Sequence, residues 1–288
     1  YWNGLTRLAS QSTISFMTLD QSRPFYAWHS IGISDQFGRH LGVYLKGVAG
    51  KVDYRIALNN PGRSPLGNGI DYSANFNPGG EPLSSLVYRG VSTPDEKGYN
   101  TGNTILTGYA KYNFLENESV KLPYYSGTYL GEKEVIALGT GFFWHPNGMY
   151  DTESEQHSSI FHFAADLFVD LPVNGGAVNG YLSYTSFDYG RDYISRWAGT
   201  GNVLYGHFGY YYKRLSIMPY IGYSYGQFEG ASDPVKSLNV GLNYFLTGHH
   251  CKLTVEWYQL LNDFREKALI LGDVSKLSQV RVQIQVAL

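Results

Sequence analysis

The sequence predicts an all-β protein, an antiparallel transmembrane β-barrel, and three observations carry that expectation. Apolar and polar residues alternate over short stretches that recur at hairpin spacing along the 288 residues. No run approaches the roughly 18 apolar residues a membrane helix requires. Aromatic residues make up 16 % of the chain, with 26 Tyr and 15 Phe, while charged residues also stop at 16 %, against roughly 25 % in a soluble protein. Alternation of this kind is written by a strand with one face in lipid and the other toward a polar lumen, and Tyr and Phe supply the girdles at the two interfaces. The mean hydropathy is only -0.25, so the membrane reading rests on alternation and not on overall oiliness.

The elements follow in order from residue 41. Residues 41–47 and 51–58, joined through Ala49-Gly50, form the first hairpin. Two less regular segments follow at 104–114 and 134–144. Residues 160–171 and 177–187 flank Pro172-Val173-Asn174-Gly175-Gly176, a turn-forming cluster. Another hairpin occupies 203–228 and turns near Lys213-Arg214, with Ile217, Ile221, Tyr223 and Tyr225 on one face and Ser216, Tyr220, Gly222 and Ser224 on the other. Residues 237–246 and 251–261 enclose the turn Gly248-His249-His250. In the last stretch Val280, Val282, Ile284 and Val286 alternate with Gln279, Arg281, Gln283 and Gln285. Composition does not shift midway, so residues 1–288 read as a single barrel domain.

Connection lengths give the strands a direction. The long connections, 60–103, 145–159, 188–201 and 262–275, fall on one side, as the external loops of an outer-membrane barrel do. Residues 116–133 are the exception, long for a periplasmic turn. Eleven strands are visible, and antiparallel closure needs an even number. At least one more strand is expected before Leu41, either within residues 10–19 or in sequence upstream. Residues 1–10 carry neither the basic start nor the apolar core of a signal peptide, which fits a processed chain or one whose beginning lies elsewhere. About two dozen residues per strand and connection also fit a complete 12-stranded barrel.

Residues 4–61 resemble the phosphate-selective porin O and P family. The matching features are Ser12, Phe16, Met17, Gly38-Arg39 and Gly42-Val43, followed by the hairpin strand at 51–58. Residues 239–259, with Gly248-His249 before Lys252-Leu253, are similar to that family's penultimate hairpin. The resemblance implies a 16-stranded, trimeric porin of the bacterial outer membrane, with further strands upstream. It also implies that residues 1–40 hold a constriction loop folded inward, its narrow zone within 10–36. Thr18-Leu19 stands where the family has Glu-Arg, which argues for general diffusion over strict phosphate selectivity.

If alternation sets facing, the pore-lining charges are Lys46, Asp53, Arg55, Lys111, Asp166, Asp170, Lys252, Glu256 and Arg281, solvated in a water-filled lumen. The constriction candidates are Asp20, Arg23, Asp35, Arg39 and His40. Both sets mix signs, whereas a selective anion pore concentrates Arg and Lys. The expected function is passive diffusion of small hydrophilic solutes, anions such as phosphate among them. Tyr210-Tyr211-Tyr212 and Tyr124-Tyr125 are read as interfacial girdle in preference to a sugar slide.

A net charge of -2 and a pI near 6.5 leave no footprint for nucleic acid. The single Cys251 excludes an internal disulfide. No cofactor or metal is expected: His249-His250 is read as a solvated turn, since adjacent strand residues point opposite ways. Expected partners are outer-membrane lipid, small solutes, two further copies of the chain and an envelope protein. Rival classes are a scaffold or adhesin, for which the Gly, Pro and Ser-rich residues 60–103 speak, and a hydrolase, for which only Glu155-Gln156-His157-Ser158-Ser159 in an external loop speaks. The chain is read as a non-enzyme.

Overall fold

A computed structural model describes residues 5–12, 15–18, 29–30, 33–34, 41–59, 103–121, 124–151, 156–190, 200–229, 234–262 and 278–287. Two short strands, β1 (His29–Ser30) and β2 (Ile33–Ser34), pair with each other. The remaining strands are β3 (Gly42–Ala49), β4 (Val52–Asn59), β5 (Ile105–Asn113), β6 (Val135–Asp151), β7 (Gln156–Val173), β8 (Gly176–Asp188), β9 (Gly201–Tyr212), β10 (Ile217–Phe228), β11 (Val235–Thr247), β12 (Cys251–Asn262) and β13 (Ser278–Val286). They form one 11-stranded sheet in strict sequence order, with every neighbouring pair antiparallel. The sheet is not closed: β3 and β13 are its edges among the described residues.

The tightest turns explain why the pairing stays in sequence order. Gly50 and Gly175 adopt φ of 62° and 82°, a left-handed conformation that costs glycine nothing and lets a strand reverse within two residues. One end of the sheet, the turn end, carries Gly50-Lys51, 114–121, 124–134, 174–175, 213–216 and 248–250.

The two faces of the sheet are opposite in chemistry. One face exposes Leu45, Ile56, Leu138, Phe163, Leu182, Phe208, Ile221, Val240 and Val255, and on β13 Val280, Val282, Ile284 and Val286 are 63–72 % exposed. The other face, called inner here, buries Asp53, Arg55, Lys111, Asp166, Asp170, Asn179, Ser224, Asn239, Asn243 and Glu256 among aromatic side chains. Strand periodicity of two makes this possible, since successive residues point to opposite faces. The polarity is the reverse of a water-soluble sheet packing, in which buried faces are apolar.

Residues 5–12 and 15–18 pack on the inner face. Among the described residues their only regular element is the 3-10 turn Leu8–Ser10, so the extra strand expected within 10–19 is not found in the residues of that stretch that are described. Leu5, Leu8 and Phe16 join Phe143, Phe168 and Tyr181 in one apolar cluster. Met17 joins Tyr211, Met218, Tyr220 and Phe245 in a second. The expected external loop 145–159 is mostly strand, because β6 runs to Asp151 and β7 starts at Gln156. A register shift between His145 and Met149 breaks the alternation there, which is why the sequence pattern stops early.

Candidate functional site

The inner face near the turn end is filled by two chain segments laid against each other. Tyr125 lies in the connection between β5 and β6, and its N–H donates to the Ser10 carbonyl while Ser12 N–H donates to the Tyr125 carbonyl, both at 2.9 Å. The Gly127 N–H donates to Ser15 Oγ at 2.8 Å. Together the two segments form a plug. The connection that was too long for a turn is therefore long because it folds inward.

A buried ion network fastens the plug to the strands. Arg7 Nη1 and Nη2 donate to Glu118 Oε2 and Oε1 at 2.5 and 2.6 Å, and Lys111 Nζ donates to the same Glu118 carboxylate. Burial pushes the Glu118 carboxyl up, but the Arg7 and Lys111 charges outweigh it and hold it down at about 2. Burial likewise works against the charged Arg7, and Glu118 more than compensates, raising its pKa above the ordinary value. The Tyr125 ring sits among three cations, with Arg55 at 3.7 Å, Lys111 at 4.5 Å and Arg7 at 5.0 Å from its centroid. Its hydroxyl donates to Asp53 Oδ2 at 2.9 Å. Burial above all keeps that hydroxyl protonated far above the usual tyrosine range, with Asp53 adding to the effect.

Carboxylates on β7 hold the plug's backbone. Asp166 Oδ2 accepts from the Arg7 N–H at 2.6 Å, and Asp166 Oδ1 accepts from Tyr109 Oη at 2.8 Å. The second bond depends on Gly139, where a Cβ would lie 2.1 Å from Tyr109 Oη and 2.5 Å from Asp166 Oδ1. Asp170 Oδ2 accepts from Asn179 Nδ2 at 2.7 Å and from the Tyr129 N–H at 3.2 Å. Across the sheet, Lys252 Nζ donates to the Phe16 carbonyl at 2.5 Å and Asn243 Nδ2 to the Met17 carbonyl at 2.8 Å.

All nine expected pore-lining charges lie on the inner face, but most of them are not solvated. Asp53, Arg55, Lys111, Asp166, Asp170, Lys252 and Glu256 are only 0–3 % exposed. That corrects the expectation of charges standing free in a water-filled lumen: the plug and the Tyr hydroxyls occupy the space water was to fill. Glu256, for example, accepts from Tyr220 Oη at 2.7 Å. Lys46 and Arg281 are half-buried; Lys46 Nζ donates to the Val120 carbonyl at 2.6 Å and Arg281 lies over the Tyr258 ring at 4.4 Å. The constriction candidates Asp20, Arg23, Asp35, Arg39 and His40 lie outside the described residues.

Three smaller expectations also resolve. His249 is not a solvated turn residue, because its Nε2 lies 2.9 Å from the Thr128 carbonyl of the plug; burial pushes its pKa down. Tyr210 and Tyr212 pack edge-on at 4.4 Å on the outer face while Tyr211 turns inward, and Tyr125 belongs to the plug and not to a girdle. His157 and Ser158 pair with Tyr150 and Met149 in the β6–β7 ladder and do not sit in a loop. Among the described residues no group of three His, Cys, Asp or Glu side chains is placed to hold a metal ion.

No protein-family model matches the chain, and no curated protein or solved structure matches it. The functional reading therefore rests on the geometry of the sheet and the plug. Arg7 and Glu118, central to the site, were not singled out by sequence; the one signal pointing to Glu118 was the length of the connection that carries it.

Proposed function

We propose that this chain is a bacterial outer-membrane β-barrel that passes small hydrophilic solutes by passive diffusion, with the plug narrowing its interior. The inversion of the two faces carries this reading. A continuous exposed apolar face several strands wide is unfavourable in water, and it suits contact with lipid when every backbone polar group is paired within a sheet. The polar inner face supplies the hydrophilic lining such a channel requires.

Closure follows from the same physics. Free edges at β3 and β13 are costly in hydrocarbon, and with eleven strands the two edges run in the same direction. An odd number of further strands between them makes the barrel antiparallel throughout. Five such strands give the 16 implied by the resemblance to the phosphate-selective porin O and P family, whose members are trimers. The buried network of Arg7, Arg55, Lys111, Asp53 and Glu118 mixes signs, which favours general diffusion with at most a mild preference for anions such as phosphate.

The tight seating of the plug favours a second reading, a barrel scaffold or adhesin partner in an envelope complex that conducts nothing. Planar-bilayer recording of the purified protein separates the two. Stable conductance steps support the channel; an electrically silent, correctly folded barrel supports the scaffold and sinks the channel.

A further inference from the structure

At the end of the sheet opposite the turn end, the outer face of β8–β10 changes from apolar to polar within one strand repeat. Leu182, Gly206 and Tyr223 lie in register across the three strands, and the next outward row is Tyr184, Leu204 and Tyr225. The row after that is Ser186, Asn202 and Gln227, beyond which Asp188 ends β8 and Glu229 follows β10. Alternation sets these residues on the outer face, because Phe187, Val203 and Phe228 between them are buried on the inner one. The apolar belt therefore stops at the row of Tyr184, Leu204 and Tyr225, where tyrosines suit the interface of a membrane strand.

An open cleft of about 340 Å³ lies at this boundary, and its lining includes Ser186, Asp188, Thr200, Gly201, Asn202 and Glu229. The backbone makes the room. Thr200 is 7 % exposed; its Oγ1 accepts from the Tyr189 N–H and donates to the Gly190 carbonyl, so its side chain leaves the space between the Asp188 and Glu229 positions. Gly201 has no side chain and accepts none, since a Cβ there would lie 2.2 Å from the Gln227 carbonyl oxygen. Asp188, Asn202 and Glu229 are all exposed. Asp188 Oδ1 accepts from the Gly190 N–H at 2.9 Å, and Asn202 Oδ1 accepts from Tyr184 Oη at 2.7 Å, which assigns Nδ2 as the donor edge of that amide.

We propose that this cleft seats a sugar unit of a glycolipid headgroup, with the acyl chains of that lipid lying along the apolar outer face. Two carboxylates, an amide and a hydroxyl make an acceptor-rich lining, which suits the several hydroxyl donors of a sugar. A bare phosphate headgroup meets like charge at Asp188 and Glu229. That the ligand is an amphiphile follows from the surroundings: the cleft borders Tyr184 and Leu204, which are 44 % and 45 % exposed, so a ligand filling the polar part carries its other end over apolar side chains. A water-borne sugar would leave that apolar contact unused. The inference rests on the reading of the outer face as lipid-facing, and not on conduction through the interior.

The test offers the full chain, folded in lauryldimethylamine oxide micelles, monoglucosyl diacylglycerol and phosphatidylglycerol with matched acyl chains, and native mass spectrometry reads which lipid stays bound. The glucolipid is expected to be retained in preference, and Asp188→Asn and Asn202→Leu are each expected to weaken its retention at least about five-fold, as loss of one used hydrogen bond implies. Ser186→Phe, which fills the cleft, is expected to remove the preference. Leu138→Ala, on the outer face of β6, is the control and should leave the preference intact. Equal retention of the two lipids, or a preference that Asp188→Asn and Asn202→Leu leave unchanged, overturns the cleft and leaves the lipid-facing reading standing. Stronger retention of phosphatidylethanolamine than of the glucolipid assigns the cleft to an ammonium group, and retention that needs added calcium assigns it to a cation; either result overturns the proposal. No retention of the glucolipid by the folded protein also overturns it, and if Ile221→Arg is then neutral in vesicles the lipid-facing reading falls as well. A barrel that keeps the preference but conducts nothing supports the cleft and overturns the channel alone.

Discussion

Arg7 and Glu118 stand 111 positions apart in sequence yet form a two-bond guanidinium–carboxylate pair at 2.5 and 2.6 Å, with both side chains 1 % exposed. Neither residue lies in a strand of the sheet, so the pair ties one half of the plug to the other. Lys111 on β5 then ties both to the sheet. Removing one member leaves buried charge without its partner, which costs about 3–5 kcal/mol. Arg7→Ala and Glu118→Ala are each expected to lower the thermal unfolding midpoint and to expose residues 5–18 to limited proteolysis. Because the residues act as one network, the double variant is expected to lose less than the sum of the singles, by about 1–3 kcal/mol. Additive losses would mean that the pair contributes nothing as a pair.

The same carboxyl gives the plug a pH dependence of definite sign. With burial raising it and the Arg7 and Lys111 charges lowering it more, the folded Glu118 carboxyl is held down at about 2 against its ordinary value of 4.5. A group depressed on folding contributes fully above its unfolded value and loses that contribution as pH falls through the folded one. Plug stability is therefore expected to be complete above about pH 4.5 and to decay toward pH 2. Tyr129, whose hydroxyl donates to Glu118 Oε1 at 2.6 Å, stays protonated throughout this window, burial being the main cause of its raised pKa. Protease sensitivity of residues 5–18, measured from pH 7 to pH 2 in the parent and in Glu118→Gln, isolates this carboxyl. The difference between the two proteins should shrink across that window; a constant difference would assign the pH response to other groups.

Eleven strands in sequence order were legible because a period of two survives any detail of packing. The turn clusters at Pro172 to Gly176 and at Gly248 to His250 were legible for the same local reason. Where a ladder slips, as between His145 and Met149, the pattern fails although the strand continues. Facing was also legible, since Asp53, Lys111, Asp166 and Glu256 all point inward as alternation requires. Their burial was not. It depends on the two plug segments, which have no period of their own and meet through contacts between residues far apart in sequence, among them the bridge between Gln11 and Tyr125 and the bond from Gly127 to Ser15. Nothing local in either segment announces the other.

The apolar face gives a sharp contrast between lipid and water. Ile221, in the middle of β10, is 49 % exposed on that face. On a water-soluble surface Ile221→Arg would change stability by no more than about 0.5 kcal/mol. In a bilayer an outward Arg near the midplane costs about 2–4 kcal/mol. Urea unfolding from phospholipid vesicles should therefore show a loss in the larger range for Ile221→Arg. A neutral result would place this face outside the hydrocarbon.

Gly141 offers a way to move the plug without touching a charge. A Cβ at Gly141 would lie 2.1 Å from the Leu5 carbonyl oxygen and 3.1 Å from that of Gly108, both backbone atoms. The sheet strand is held on both sides by β5 and β7, so the segment carrying Leu5 has to give way. Its displacement pulls directly on the bond from the Arg7 N–H to Asp166, two residues on. Gly141→Ala is therefore expected to loosen residues 5–8 and, if the plug narrows the solute path, to raise single-channel conductance in the same direction as Arg7→Ala. Gly180→Ala is the matched control, because a Cβ there meets nothing closer than 3.8 Å and should leave both protease sensitivity and conductance unchanged. Equal conductance in all three proteins would mean that solutes pass along another part of the interior.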